Sequence, residues 1–197
     1  MSPRKYDMSR RAAAAAATKN RIVEATISLH DRKGIVGTSF DDVARAADVA
    51  PGTVRSHFPS RDDLVTACGG HVWQDLRLPD VEALDRLFED ARPGRVRLSR
   101  LVDALCDSYE RGALRLEIAE REAGEVGALQ GFIAHLGGYR EQLLHAALPA
   151  RASSVLVKKL NGLTAFPTWK ALRDAGLSAK AAREAMRDAA DCAVARA

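Results

Sequence analysis

Residues 39–59 read SFDDVARAADVAPGTVRSHFP, and the fold of the chain is decided there. Ser39 stands three positions before Asp42, a pairing that closes a helix start: the hydroxyl takes one free backbone amide and the carboxylate answers another. A short helix over 40–47 follows. After only Asp48-Val49-Ala50, Pro51 opens a second short helix over 51–58, since proline suits the first helical turn. Pro59 ends it, because the residue before proline is pushed out of the helical region. Val43, Ala44, Ala47, Val49, Val54 and Phe58 form an apolar side that holds the two helices together. The outward positions of the second helix, Pro51, Gly52, Thr53, Arg55, Ser56 and His57, are small or hydrogen-bonding. Two short helices on a three-residue turn form a helix-turn-helix, in which the second helix lies in the major groove of DNA. Eight residues at about 1.5 Å each make a rod of about 12 Å, comparable with the groove.

Outward from this pair, helical spacing dominates and no alternating strand pattern appears. The spacing predicts a helix over 19–32, with Ile22, Ala25, Ile27 and Leu29 on one face, preceded by a basic flexible arm over 1–18. A fourth helix begins at Arg61 and runs past Trp73, with Gly69-Gly70 in its middle. That pair reads as close packing, a local break or a hinge. Further helices are expected over 81–91, 95–111, 129–149, 153–163, 167–175 and 178–195, with a less regular stretch over 113–127. The expected architecture is all-α. A three-helix DNA-binding domain over 19–66 leads into a helical effector-binding and dimerisation domain over 67–197.

The run from Arg21-Ile22-Val23 through Asp42-Val43-Ala44, Ala46-Ala47-Asp48-Val49 and Gly52-Thr53-Val54 to His57-Phe58-Pro59-Ser60-Arg61-Asp62-Asp63-Leu64 resembles the DNA-binding domain of the tetracycline-repressor (TetR) family. The likeness is gapless over 19–66. A looser one covers Leu163-Thr164-Ala165-Phe166-Pro167-Thr168-Trp169 and Gly176-Leu177-Ser178, which is similar to the C-terminal region of some members. The resemblance implies an all-helical homodimer whose larger C-terminal region holds an effector pocket and the dimer contacts. Three positions depart from the pattern. Arg55 stands where members usually carry a phosphate-contacting tyrosine, and arginine can bond a phosphate or reach guanine O6 and N7. Asp48 replaces the turn glycine, which aspartate tolerates in a left-handed backbone. Ala50 replaces a serine cap, at about 1 kcal/mol.

Net charge is a mild +4. Six basic residues (Arg4, Lys5, Arg10, Arg11, Lys19, Arg21) face one acid, Asp7, in the first 21 positions, so the remainder is slightly acidic. The surplus therefore adjoins the helix-turn-helix, where basic arms reach minor-groove or phosphate sites. Three widely spaced cysteines suggest buried thiols in a cytoplasmic protein, not a disulfide framework. No apolar run reaches membrane-spanning length, so no membrane partner is expected. The histidines lack metal-site spacing, and no metal or other cofactor is expected. Nor is catalysis, for there is no nucleophile elbow or phosphate loop.

The expected partners are double-stranded DNA, a small-molecule effector and a second copy of the chain. DNA contacts are expected from Arg21, Ser39, Pro51, Gly52, Thr53, Arg55, Ser56, His57 and Arg61. Trp73, Tyr109, Phe132, Tyr139 and Phe166 are core residues first and effector-pocket candidates second, since such pockets are mostly apolar. Ala181, Ala182, Ala185, Met186, Ala189 and Ala193 make a small-residue stripe on the last helix. With Val155, Leu156, Leu160 and Leu163, it suggests a homodimer interface through the last two or three helices. The competing reading is a helical small-molecule binding or interaction protein that has lost DNA binding, on the strength of Arg55 and Ala50.

Overall fold

A computed structural model describes residues 5–80 and 83–196, with side chains from Ser9 onward. Among the described residues there are helices and turns but no strand. The helices are α1 (Lys5–Lys33), α2 (Phe40–Ala46), α3 (Pro51–His57), α4 (Arg61–Leu76), α5 (Leu84–Leu87), α6 (Arg95–Glu122), α7 (Gly127–Ala147), α8 (Ser154–Leu163), α9 (Phe166–Asp174) and α10 (Ala179–Ala195). The chain divides into two compact units, one of residues 1–71 with 118–130 and one of 72–117 with 131–197.

The first unit is larger than the 19–66 read from the sequence, because the end of α6 and the start of α7 belong to it. Its central cluster joins Ile22 and Val23 of α1, Val43, Ala44 and Ala47 at α2, Val54 and Phe58 at α3, and Leu64 and Cys68 of α4. A second cluster joins Ile35 and Val65 to Ile118, Ala119, Val126 and Leu129. Helix α1 starts at Lys5 instead of Lys19, so the stretch expected to be a flexible arm is helical from residue 5, and residues 1–4 lie outside the described residues. The alanine run Ala12–Ala17 explains the difference. It carries no apolar periodicity, yet alanine is the strongest helix former, and an exposed helix needs no buried face.

The second unit packs around α6. Leu98, Leu101, Val102, Leu105, Tyr109 and Leu116 are buried there against Leu136, Leu143 and Leu144 of α7 and Ala182, Met186 and Ala190 of α10. Helix α6 does not stop near Arg111 but runs on to Glu122. Gly112 reads as a breaker in sequence. In the fold it is a close approach, since a Cβ there would overlap Leu76 Cδ2. The helix expected over 81–91 is a single turn, Leu84–Leu87, with Val81 and Glu82 outside the described residues. Asp90 in the left-handed region (φ 57°) shapes the turn before α6. Of the small-residue stripe on α10, Ala182 and Met186 are buried within this unit, while Ala181, Ala185, Ala189 and Ala193 are half-buried. Val155 on α8 is 59% exposed, a large apolar side chain left facing outward.

Candidate nucleic-acid interface

The turn between α2 and α3 forms as its residues dictate. Ser39 caps α2: the Asp42 N–H donates to Ser39 Oγ at 3.1 Å, and the Ser39 N–H donates to Asp42 Oδ2 at 3.1 Å. Lys33 Nζ adds a 2.5 Å ion pair to the same carboxylate, and the lysine and Ser39 together hold Asp42 well below the usual carboxylate range. Asp48 adopts φ 51°, the left-handed conformation expected of it, and the Val49 N–H then donates to Ala44 O at 3.0 Å. Ala50 gives α3 no side-chain cap, and Pro51 occupies its first turn. Helix α3 is fixed from beneath by the fully buried Val54 and by Phe58. Its other side stays open: Pro51, Gly52, Arg55 and Ser56 are exposed, and Thr53 and His57 are half-buried.

A hollow of about 290 Å³ opens beside this helix. It is lined by His30, Ser39, Phe40, Arg55 and Arg61 among others. The Arg55 guanidinium lies over the Phe40 ring, 5.1 Å from its centroid. Stacking on a ring attracts the cation and limits its search. Three of the sequence-predicted contacts, Ser39, Arg55 and Arg61, thus gather at one place. Pro51, Gly52, Thr53, Ser56 and His57 do not line the hollow, and neither does Arg21, which is exposed on α1. Lys19, 5.5 Å from the Phe58 ring centroid, brings another cation to the end of α3.

The largest feature that the sequence reading missed is Glu122. Its Oε2 accepts from the Ile35 N–H at 2.7 Å and the Val36 N–H at 2.8 Å, while Arg121 bonds Oε1 at 2.7 Å. Gly34 (φ 79°) lets the loop approach, since a Cβ there would collide with Glu122 Oε1. Burial alone would raise the Glu122 carboxyl, but the Val36 N–H, Arg121 and the Ile35 N–H hold it below the usual carboxylate range. Beside it His30 is 8% exposed. Burial lowers its imidazole to about 4, although Glu122 and Asp31 pull the other way. A second Ser–Asp capping pair also went unread: Ser60 and Asp63 close the start of α4, with the Asp63 N–H donating to Ser60 Oγ at 3.1 Å.

Residues 22–68 match the family model of bacterial regulatory proteins of the tetR family. The chain belongs to the TetR family. It is 31% identical over 87 residues to the HTH-type transcriptional regulator BetI of Paraburkholderia phymatum, a match that covers 44% of this chain and 43% of that relative. The chain thus spans less than half the length of this curated relative. Two solved structures share the fold of nearly the whole chain. One is the multidrug binding protein EbrR complexed with imidazole, at 24% identity and a TM-score of 0.69, covering 98% of this chain and 94% of that one. The other is a putative transcriptional regulator from Pseudomonas aeruginosa PAO1, at 21% identity and a TM-score of 0.67, covering 90% of both chains. The helix-turn-helix of this TetR-family chain is therefore α2 and α3, with Arg55 where the family pattern has tyrosine.

The effector-pocket candidates fall into two groups in the second unit. Trp73, Phe132 and Tyr139 are half-buried together, with Trp73 5.1 Å from Tyr139 and 4.7 Å from His135 between ring centroids. Tyr139 Oη donates to Pro79 O at 2.8 Å. Tyr109 and Phe166 are buried, 5.6 Å apart, and joined by Trp169, which the candidate set lacked. No helix of the described residues is long and apolar enough to cross a membrane. Among them no group of three or more His, Cys, Asp or Glu is placed to hold a metal.

Proposed function

We propose that this TetR-family chain is a homodimeric, sequence-specific transcriptional repressor, released from an inverted-repeat operator by a small-molecule effector. The observation that carries the reading is the convergence of Ser39, Arg55 and Arg61 on one hollow beside an exposed α3. Arg55 and Arg61 supply positive charge where a DNA strand would pass, and such contacts set affinity and register. Their grouping assigns Arg55 to phosphate. Pro51, Gly52, Thr53, Ser56 and His57 are then left to face the base edges, with Arg21 on the flanking backbone. Two copies place two recognition helices in successive major grooves, so the operator is an inverted repeat.

The exposed Val155 and the half-buried alanines of α10 favour a dimer through α8 and α10, in which small residues let helices approach closely. The effector acts by binding better to the dimer state that holds DNA poorly. The aromatic groups of the second unit are its candidate lining. The protein would act in the cytoplasm, where its DNA lies.

Selection from random duplex DNA by the purified protein tests the reading. Recovery of an inverted repeat, with affinity falling steeply as salt rises, is the expected result. Failure to retain any duplex at low salt would instead favour a helical binding protein that has lost DNA recognition. The uncapped α3 is the observation on that side.

A further inference from the structure

The second unit holds a buried cation with no carboxylate to answer it. Arg140, on α7, is 8% exposed. Its Nε donates to Asn161 O at 3.0 Å and to Asn161 Oδ1 at 2.6 Å, and its guanidinium bonds the Tyr109 phenol. All of these partners are neutral, and among the described residues no acid forms an ion pair with it. A buried charge is costly unless paired, so buried arginines ordinarily have an acid beside them. The other arginines of this unit's interior follow that rule, as Arg183 pairs with Asp107 and Arg187 with Asp103.

The surroundings are rich in donors and short of acceptors. Tyr109 Oη already donates to Thr164 O at 2.8 Å, and Asn161 Nδ2 donates to Gly137 O at 3.3 Å, which fixes the amide with its oxygen toward Arg140. Trp169, whose ring lies 6.3 Å from Tyr109 between centroids, has a buried Nε1 with no acceptor. There is also room. Around the position a Cβ would take at Gly137, the nearest neighbour is Arg140 Nη2 at 3.9 Å and nothing else lies within 4 Å.

We propose that Arg140 is the anchor of a site for a small aromatic carboxylate, which enters at the gap left by Gly137. The carboxylate supplies the missing counter-charge, and a planar guanidinium binds it in two parallel hydrogen bonds. The rings of Tyr109, Phe166 and Trp169 offer an apolar, aromatic wall for the rest of the molecule. This names the effector class of the repressor reading and rests on that reading for its regulatory meaning.

The test is calorimetric titration of the full chain with benzoate, phenylacetate and salicylate, each beside the neutral amide of the same ring. The carboxylates bind at least tenfold more tightly than their amides. Arg140→Met abolishes that preference, and Gly137→Leu, which fills the gap and leaves the arginine in place, abolishes binding. Equal affinity for acid and amide, or no binding of any of the three acids at millimolar concentration, overturns the proposal. So does an Arg140→Met chain that still binds the acids but has lost its dimer, since a partner copy's carboxylate would then be the missing charge. If Arg140→Met fails to fold, the acid-to-amide ratio of the unaltered chain and Gly137→Leu decide. Recovery of an inverted repeat by the same protein separates the outcomes: it leaves the DNA reading intact when only the carboxylate site fails.

Discussion

Arg55 and Arg140 carry the same group in opposite settings. Arg55 is exposed, stacked on Phe40 beside Ser39 and Arg61, and water shares the cost of its charge. Arg140 is buried among neutral partners. The difference extends to the units around them. In the first unit the acids Asp42, Asp63 and Glu122 are tied to backbone amides, which shapes the loops and leaves cations free to face a polyanion. In the second, acids of α6 are tied to arginines of α10, and the arginine left over sits inside. One unit is arranged to meet a large anion at its surface, and the other has an anion-sized deficit in its core.

The comparison is broken most severely at Glu122. Glu122→Ala removes the acceptor of two backbone amides and is expected to cost about 3 kcal/mol in urea unfolding. A loss below about 1 kcal/mol would show that the loop finds other partners. Next is Arg55. Arg55→Ala should weaken DNA binding by about 1–3 kcal/mol and lower the salt slope by about 1, alike for operator and random duplex. A loss confined to the operator would make Arg55 a base-reading residue instead.

The acid limb sharpens the comparison within the first unit. His30 falls from 6.5 in the unfolded chain to about 4 when folded. Between those values the unfolded state binds a proton that the folded state refuses. Stability therefore drops as pH falls from 6.5 towards 4, by about 1.4 kcal/mol per pH unit. Glu122, depressed on folding, adds a loss at lower pH as it takes up its proton. His30→Gln should flatten the upper limb and spare the lower, as read by urea midpoints across pH. The smallest effect is at Ala50: Ala50→Ser restores the missing cap of α3 and should add about 1 kcal/mol of stability. An unchanged urea midpoint would mean that Pro51 already supplies what the cap would.

How much of this was legible in the sequence follows from how far apart the partners are. The capping box at Ser39, the left-handed Asp48 and the uncapped Ala50 are local features, set within a few residues, and their spacing announces them. The Ser60–Asp63 box was equally local and was open to the same reading. Glu122 and Ile35 are 87 positions apart, and nothing in either neighbourhood marks the other. Gly112 misled for a related reason, since its value lies in the approach of Leu76 from α4 and not in its own helix. Arg140 likewise has an unremarkable place on α7, and only the fold reveals that no acid reaches it. Local chemistry thus disclosed the DNA-reading helices, whereas the core of the second unit depends on contacts between distant segments.

The central claim, that two copies of α3 read an inverted repeat, is tested most directly by hydroxyl-radical footprinting on the duplex recovered by selection. Two protected patches related by two-fold symmetry and centred about one helical turn or more apart, both lost on Arg55→Ala with Arg61→Ala, are the predicted result. A single patch, or protection that spreads evenly along the duplex, would contradict it.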